Sequence, residues 1–110
     1  MEHRMKLVDF AFNEIKCGNK DIELRLYDEK RRLINVGDTI TFEHVDTHEE
    51  IKTKVKNLYI TKDFKELFDR FDNKRFGLKD TDDESLLLNF YTLDDIKKYG
   101  CVGIEIELIN

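Results

Sequence analysis

Hydrophobic and polar residues alternate along four stretches of the chain, a pattern typical of strands with one buried face. In the first stretch Ile22, Leu24 and Leu26 fall on one face. Glu23 and Arg25 then fall on the other, so the pattern predicts a half-buried strand there. The predicted strands are 21–27, 39–44, 51–60 and 102–108. Alternation of this kind argues against a purely parallel buried sheet, whose strands are continuously apolar.

Apolar residues at helical spacing predict helices over 8–17 and 63–71, a helical segment over 83–91, and a short helix from Thr92 to Tyr99. The clearest is the second, whose apolar stripe consists of Phe64, Leu67, Phe68 and Phe71. Together these elements predict an α+β fold in one domain over 1–110. Its mixed or antiparallel sheet would curl toward a small β-barrel flanked by short helices.

The charge of the chain limits what it can bind. The 110 residues are 40% hydrophobic and carry a net charge of −5. A protein that coats nucleic acid must neutralise phosphates and is usually basic. The negative net charge therefore argues against broad coating of DNA or RNA. It leaves room for one basic cleft in an acidic chain.

The sequence also predicts a cytosolic protein without a membrane partner. No apolar run approaches the roughly 20 residues that span a bilayer, and the polar start of the chain leads into no signal-peptide core. Cys17 and Cys101 form no C-x-x-C pair and are expected to be reduced core thiols. His44 and His48 fall in a predicted polar hairpin tip, so no metal or other cofactor is expected.

One cluster of residues could carry chemistry: Gly18-x-Lys20-x-x-Glu23-x-Arg25. Glu23 and Arg25 are two apart on a strand and point the same way, with Lys20 at the junction before it. An arginine held by a carboxylate can aim its remaining donors at a phosphate or carbonyl. A partly desolvated lysine near a cation could act as a base. Exposed strand faces also carry weak Glu–Arg pairs, so the residues alone leave both interpretations open.

The motif resembles the signature of the ASCH family, a relative of the PUA fold, and the wider sequence resembles small bacterial members. The resemblance extends over segments 5–7, 12–16, 22–28, 36–38 and 99–104. It implies a PUA-like barrel with a cleft beside the motif strand. It also implies that Lys20, Glu23 and Arg25 line this cleft and bind RNA, a nucleotide or a nucleoside.

Certain bacterial ASCH proteins are amidohydrolases that deacetylate acetylcytidine. They resemble this chain at Lys20 but have a threonine at the position of Glu23, together with a later glutamate. The chain could therefore be an ASCH-type binding module or, alternatively, a small amidohydrolase acting on a modified nucleoside. In the second case Lys20 would be the base, with Glu23 as its partner and Asp83 or Glu84 as a possible third member.

Two further features bear on ligand binding. Tyr27 continues the polar face of the motif strand and is a candidate for stacking on a base. Lys52, Lys54 and Lys56 form a basic strand face, which is typical of a solvated edge strand and could alternatively follow a phosphate backbone. The expected state is a monomer or weak homodimer.

Overall fold

A computed structural model describes residues 1–109 as five strands and three α-helices, with three short 3₁₀ turns. The predicted strands and α-helices are confirmed, and the helical segment 83–91 forms a 3₁₀ turn. The strands are β1 (Glu2–Leu7), β2 (Ile22–Leu26), β3 (Thr39–His44), β4 (Glu50–Thr61) and β5 (Cys101–Leu108). The helices are α1 (Asp9–Lys16), α2 (Phe64–Arg70) and α3 (Leu93–Tyr99), and the 3₁₀ turns are Arg31–Leu33, Asn73–Phe76 and Glu84–Asn89.

The strands form one mixed sheet in the order β1-β3-β4-β5-β2. β1 runs parallel to β3, and the other neighbouring pairs are antiparallel. This confirms the predicted mixed sheet, but β1 itself was not predicted. Only Met5 and Leu7 alternate as buried apolar residues within it, because the rest of β1 is polar. Its pairing with β3 defines it as a strand.

The sheet curls so that its two edge strands approach each other. β1 and β2 are the edges of the sheet, and Arg25 of β2 donates from Nη2 to the carbonyl oxygen of Lys6 in β1 at 3.0 Å. The result is a half-barrel whose open seam lies between β1 and β2. The motif strand therefore lies directly at this seam.

Each face of the sheet covers its own hydrophobic core. The inner core lies on the concave face under α1 and consists of Met5, Leu7, Phe12, Ile15, Ile34, Ile40, Phe42, Val55, Val102, Ile104 and Ile106. The outer core lies under α2, α3 and the two later 3₁₀ turns and consists of Ile22, Leu24, Leu26, Phe64, Leu67, Phe76, Leu87, Ile96 and Cys101. β5 contributes side chains to both cores, with Val102, Ile104 and Ile106 in the inner core and Cys101 in the outer core.

β2 differs from the half-buried strand that its alternation predicts. Ile22, Leu24 and Leu26 face the outer core, as expected. Glu23 is also buried, at 3% exposure, because it pairs in register with Ile104 on the concave face. The polar face of the motif strand is thus an interior surface.

Two other expectations are wrong. Cys101 is buried, and burial raises the pKa of its thiol to about 12, but Cys17 is exposed and is not a core thiol.

β4 pairs on both sides, with β3 and β5, so the basic face formed by Lys52, Lys54 and Lys56 does not belong to an edge strand. Lys54 pairs in register with Glu107 of β5, so this face of the sheet carries charges of both signs.

The ends of the helices follow their sequence signals. Asp63 caps α2 by accepting from the backbone N–H of Glu66, and Thr92 caps α3 by accepting from that of Asp95. Gly18 follows α1 with a φ of +85°, the left-handed conformation that favours glycine. None of the helices within residues 1–109 has the length and hydropathy that crossing a bilayer requires.

His44 holds the β3–β4 turn. Its Nδ1 accepts from the backbone N–H groups of Asp46 and Thr47, which leaves Nε2 as the donor to Asp9 at 2.8 Å. The ring lies edge-on to Phe12.

His48, the other histidine of the predicted hairpin tip, pairs with Glu43 at 2.7 Å. In residues 1–109 no group of three or more histidine, cysteine or acidic side chains is placed to hold a metal ion.

Phe42 should be among the most sensitive positions of the inner core. Phe42→Ala leaves a cavity at a fully buried site and should lower the free energy of unfolding by about 3–5 kcal/mol. Phe90→Ala, at a ring that is 64% exposed, should change it by only about 0.5 kcal/mol. Urea unfolding followed by circular dichroism measures both, and equal losses would contradict the assigned inner core.

Candidate functional site

Lys20 is fixed by the turn between α1 and β2. Its backbone N–H donates to the carbonyl of Glu14 at 2.9 Å. Gly77 lies against its aliphatic stem, since a Cβ at this glycine would come within 3.1 Å of the Lys20 Cβ. A side chain there would force Lys20 aside. The Lys20 side chain is consequently only 10% exposed, although it is near the surface of the half-barrel.

Glu23 lies between the two cations of the motif. Lys20 Nζ is 2.7 Å from its Oε1, and Arg25 Nε donates to its Oε2 at 2.8 Å. Both carboxylate oxygens are therefore occupied, and the side chain is 4% exposed. The structure thus brings together the three residues that the sequence places in one cluster.

The carboxyl group of Glu23 is held in its ionised form. Burial by itself raises the pKa of Glu23, but the charges of Lys20 and Arg25 and their hydrogen bonds outweigh this effect and lower the pKa to about 2. A carboxylate with this pKa is a poor proton acceptor near neutral pH. Its chemical role is to hold the two cations in place.

Two nitrogens of the Arg25 guanidinium are hydrogen-bonded within the protein, and the third has no acceptor among residues 1–109. A guanidinium carries five N–H donors. Nε donates to Glu23 and Nη2 to the Lys6 carbonyl, while Nη1 has no acceptor among residues 1–109. The side chain is 15% exposed. Arg25 can therefore offer the two N–H groups of Nη1 to a phosphate or carbonyl oxygen without losing its position.

Asp28 and Arg31 extend the site beyond the motif strand. Asp28 accepts from the backbone N–H of Arg31 at 3.0 Å and from its Nη1 at 3.3 Å. The Arg31 side chain is 15% exposed, and its Nε is buried without an acceptor among residues 1–109. An unpaired buried donor costs about 1–3 kcal/mol, so the packing around this nitrogen lowers the stability of the turn by an amount of that order.

Tyr91 is a partly buried tyrosine that packs against the outer core. The Tyr91 ring stacks on Phe64 with a centroid separation of 5.7 Å. Burial is the main cause that raises the pKa of Tyr91, and the charges of Arg25, Glu23, Arg31 and Asp28 also act on it.

The site is positively charged overall. Lys20, Arg25 and Arg31 contribute three positive charges and Glu23 and Asp28 two negative ones, which leaves +1. The whole chain has a net charge of −5. The basic cleft that the sequence leaves room for stays a prediction. A single ligand oxyanion would balance the excess charge of the site.

Tyr27 lies next to the site, with one ring face covered. Its ring packs against the inner core, and the guanidinium of Arg32 lies 4.4 Å from the ring centroid. Arg32 also donates to the carbonyl oxygen of Tyr99 at 3.3 Å. Base stacking by Tyr27 remains a prediction, and the covered face restricts it to the other side of the ring.

Asp83 and Glu84 lie in a different part of the surface. With Phe68 and Phe71 they line an acidic depression near α2. Asp83 caps the 3₁₀ turn by accepting from the backbone N–H of Ser85 at 2.9 Å. Within residues 1–109 no hydrogen bond or ion pair joins either carboxylate to Lys20 or Glu23. Their role as a third catalytic member remains a prediction that this placement does not favour.

Asp28, Arg31 and Tyr91 lie outside the motif, although the sequence offers Tyr91 as a candidate for base stacking and Lys30-Arg31-Arg32 as a basic cluster. A signal for the pair was present, because Asp28 precedes the basic run Lys30-Arg31-Arg32 at the i, i+3 spacing of a turn. Tyr91 is distant in sequence and comes from the segment that follows the third 3₁₀ turn. Its proximity to Arg25 depends on tertiary packing, which no local pattern reports.

Fold and site together define a PUA-like domain with a charged cluster at the seam of a half-barrel. Residues 5–110 match the family model of the ASCH domain, and the chain belongs to the ASCH family. The bacterial part of the resemblance stays a prediction. Among curated proteins, a sequence search finds no significant match.

Solved structures agree with this assignment. The crystal structure of hypothetical protein PH0355 is 36% identical, with a TM-score of 0.85, and the match covers 99% of this chain and 100% of that one. The solution structure of protein PF0455 from Pyrococcus furiosus is 34% identical, with a TM-score of 0.77, over 100% and 99% of the two chains. A mutant of the ASCH protein from Zymomonas mobilis is 15% identical, with a TM-score of 0.63, over 99% and 73%. This last likeness shows the fold alone.

Glu23 should contribute stability that depends on pH. Folding lowers its pKa from the ordinary 4.5 to about 2. A carboxyl group of this kind stabilises the folded state above its ordinary pKa, and the contribution is lost as the pH falls. At pH 7, Glu23→Gln leaves two buried cations without a counter-charge and should cost about 3–5 kcal/mol. The difference from wild type should shrink between about pH 5 and pH 2.

Urea unfolding at neutral and acidic pH measures this effect. The comparison between variant and wild type is needed because acid also protonates other carboxyl groups with lowered pKa, such as Asp38 and Glu105. Glu29→Gln is the matched control, since Glu29 is exposed and has no ion pair within residues 1–109. A Glu23→Gln protein as stable as wild type at pH 7 would contradict the assignment.

Proposed function

We propose that the chain is an ASCH-type module that binds RNA, a nucleotide or a nucleoside in the cleft at Lys20, Glu23 and Arg25. One observation carries the proposal. Glu23 has both oxygens occupied by the two cations, and this fixes Arg25 with its Nη1 donors available. Such an arrangement binds an oxygen of a ligand without rearranging, which reduces the entropic cost of binding.

The chemistry of the cleft suits nucleic-acid components. An arginine fixed by a carboxylate recognises phosphate or base carbonyl oxygens. Tyr27 and Tyr91 lie close to the charged groups, and aromatic rings near cations are the usual partners of unstacked bases. The net charge of −5 disfavours coating of long nucleic acid, so the proposed ligand is a short single-stranded segment or one nucleotide unit.

The same geometry supports binding over hydrolysis. In the deacetylating relatives a threonine hydroxyl stands where this chain has Glu23. The oxygens of Glu23 already accept from Lys20 and Arg25, and its low pKa makes it a weak base. Asp83 and Glu84 lie apart from Lys20. The cleft is therefore better suited to holding a ligand than to activating water.

Binding should depend on the cations of the site. We expect Arg25→Gln and Lys20→Gln each to weaken binding of a short single-stranded RNA by about 10-fold or more, since hydrogen bonds to charged groups are worth about 1.5–3 kcal/mol. Fluorescence anisotropy with a labelled oligonucleotide of roughly ten nucleotides measures the affinity. The same variants should be tested against the four common nucleosides and their 5′-monophosphates.

Lys62→Gln is the matched control, because it removes one positive charge from a lysine that is 79% exposed and lies outside the motif and the basic face of β4. It should change affinity much less than Arg25→Gln. Thermal melts of each variant establish that the protein remains folded. If the variants at Lys20 and Arg25 fold and bind as tightly as wild type, the cleft is not the binding site.

Incubation with acetylcytidine separates binding from hydrolysis. The expected result is no release of cytidine by the wild-type protein, measured by liquid chromatography, because the cleft lacks the threonine hydroxyl. Release of cytidine that Lys20→Gln abolishes and Lys62→Gln preserves would contradict the binding module and favour the amidohydrolase.

A further inference from the structure

The segment 75–77, at the end of the second 3₁₀ turn, is bound to the residue that follows Lys20. The backbone N–H of Asp21 donates to the carbonyl oxygen of Arg75 at 3.0 Å. The Arg75 guanidinium donates to the Asp21 carboxylate from Nε at 3.1 Å and from Nη2 at 2.9 Å. Because a bidentate pair fixes both partners in one orientation, Asp21 is held by its backbone and by its side chain.

The segment 75–77 is also anchored to the centre of the sheet. Arg75 donates from Nη2 to Glu105 of β5 at 2.9 Å. Glu105 in turn accepts from the side chains of Asn57 and Tyr59 on β4, at 2.9 and 2.8 Å. The position of β4 and β5 therefore determines where the segment lies against the junction before β2.

The stem of Lys20 is enclosed between α1 and Gly77. A Cβ at Gly77 would lie 3.1 Å from the Lys20 Cβ and 3.3 Å from both the Lys20 Cδ and the Glu14 Cβ. Gly77 has a φ of +72°, which asparagine also tolerates, so the backbone conformation alone does not require glycine. The buried ring of Phe76 explains why the turn covers the outer core, but not why the next residue closes on Lys20.

We propose that the segment 75–77 positions Lys20 for ligand binding and that Arg75 and Gly77 are positioning residues of the cleft. The inference rests on the proposed function and extends the site to residues that need not touch the ligand. Arg75 is 54 positions from Asp21 in the sequence. A lysine stem is flexible, so holding it before the ligand arrives reduces the entropic cost of binding.

Gly77→Asn tests the contact with Lys20, because it retains a residue that tolerates positive φ but adds a Cβ. We expect it to weaken binding of the labelled RNA, or of a 5′-monophosphate if that is the ligand bound, by about 3- to 10-fold. Gly37→Asn is the matched control. Gly37 has a φ of +95°, and a Cβ there would meet no other part of residues 1–109 within 4 Å. The control should bind like wild type.

A double-mutant cycle separates positioning from a general loss of structure. In a Lys20→Gln background, Gly77→Asn should lower affinity little further, because the residue that it displaces no longer serves the ligand. Arg75→Gln should behave in the same way and guards against misfolding of the Gly77 variant. Arg70→Gln is its control, since Arg70 is exposed and stacks on Tyr59 without an ion pair among residues 1–109.

Heteronuclear NMR of the Lys20 ammonium group provides a readout that needs no ligand. The signal, identified by its absence in Lys20→Gln, should shift or broaden in Gly77→Asn and stay unchanged in Gly37→Asn. An unchanged signal in both Gly77→Asn and Arg75→Gln would overturn the positioning role.

The binding data give two further ways to overturn the inference. Folded Gly77→Asn and Arg75→Gln proteins that bind as tightly as wild type would exclude positioning, as would equal losses with and without Lys20. In both cases, weakened binding by Arg25→Gln would leave the proposed function intact. A wild-type protein that binds neither RNA nor any nucleoside or 5′-monophosphate would refute the proposed function and this inference together.

Discussion

The buried carboxylate of Glu23 is the interaction on which the rest of the structure depends. It lies beside Ile104 on the concave face of the sheet, where a lone charge would be strongly unfavourable. Lys20 and Arg25 balance it, and Arg25 in turn bonds to Lys6 on the opposite edge strand. One ion cluster thus joins the turn after α1, the motif strand and the seam of the half-barrel.

This arrangement explains why a ligand site can exist in a stable interior. Buried ion pairs contribute little net stability compared with apolar residues of the same size. An apolar replacement would close the seam equally well but would leave no donors for a ligand. Retaining the charges keeps Arg25 rigid and partly unsatisfied, and Asp28 does the same for Arg31 on a smaller scale.

Much of the fold could be predicted because local patterns and tertiary structure agree. The alternation in β3 and β5 and the apolar stripe of α2 each identify a buried face. β1 was missed because its polar sequence becomes a strand only through pairing with β3. The burial of Glu23 was missed for a related reason, since alternation cannot distinguish solvent from the interior of a curled sheet.

The candidate site, like the fold, could be predicted only in part from the sequence. Lys20, Glu23 and Arg25 are close in sequence, so strand periodicity alone brings them together. Tyr91 packs against the outer core, and the burial of the Arg31 Nε depends on tertiary packing. The sequence identifies Tyr91 as a candidate aromatic residue, but its position relative to β2 depends on which elements cover that strand.

The position of β2 in the sheet also has a consequence for the order of folding. β2 is an edge strand whose only hydrogen-bonded neighbour is β5, and the register pairs Ile22 with Glu105. The motif strand can therefore pair only after the whole segment up to β5 has been synthesised. Contacts of such long sequence separation form slowly because a large loop must close first. Before β5 pairs with β2 the carboxylate of Glu23 has no sheet interior to enter, so burial of the site requires this long-range contact.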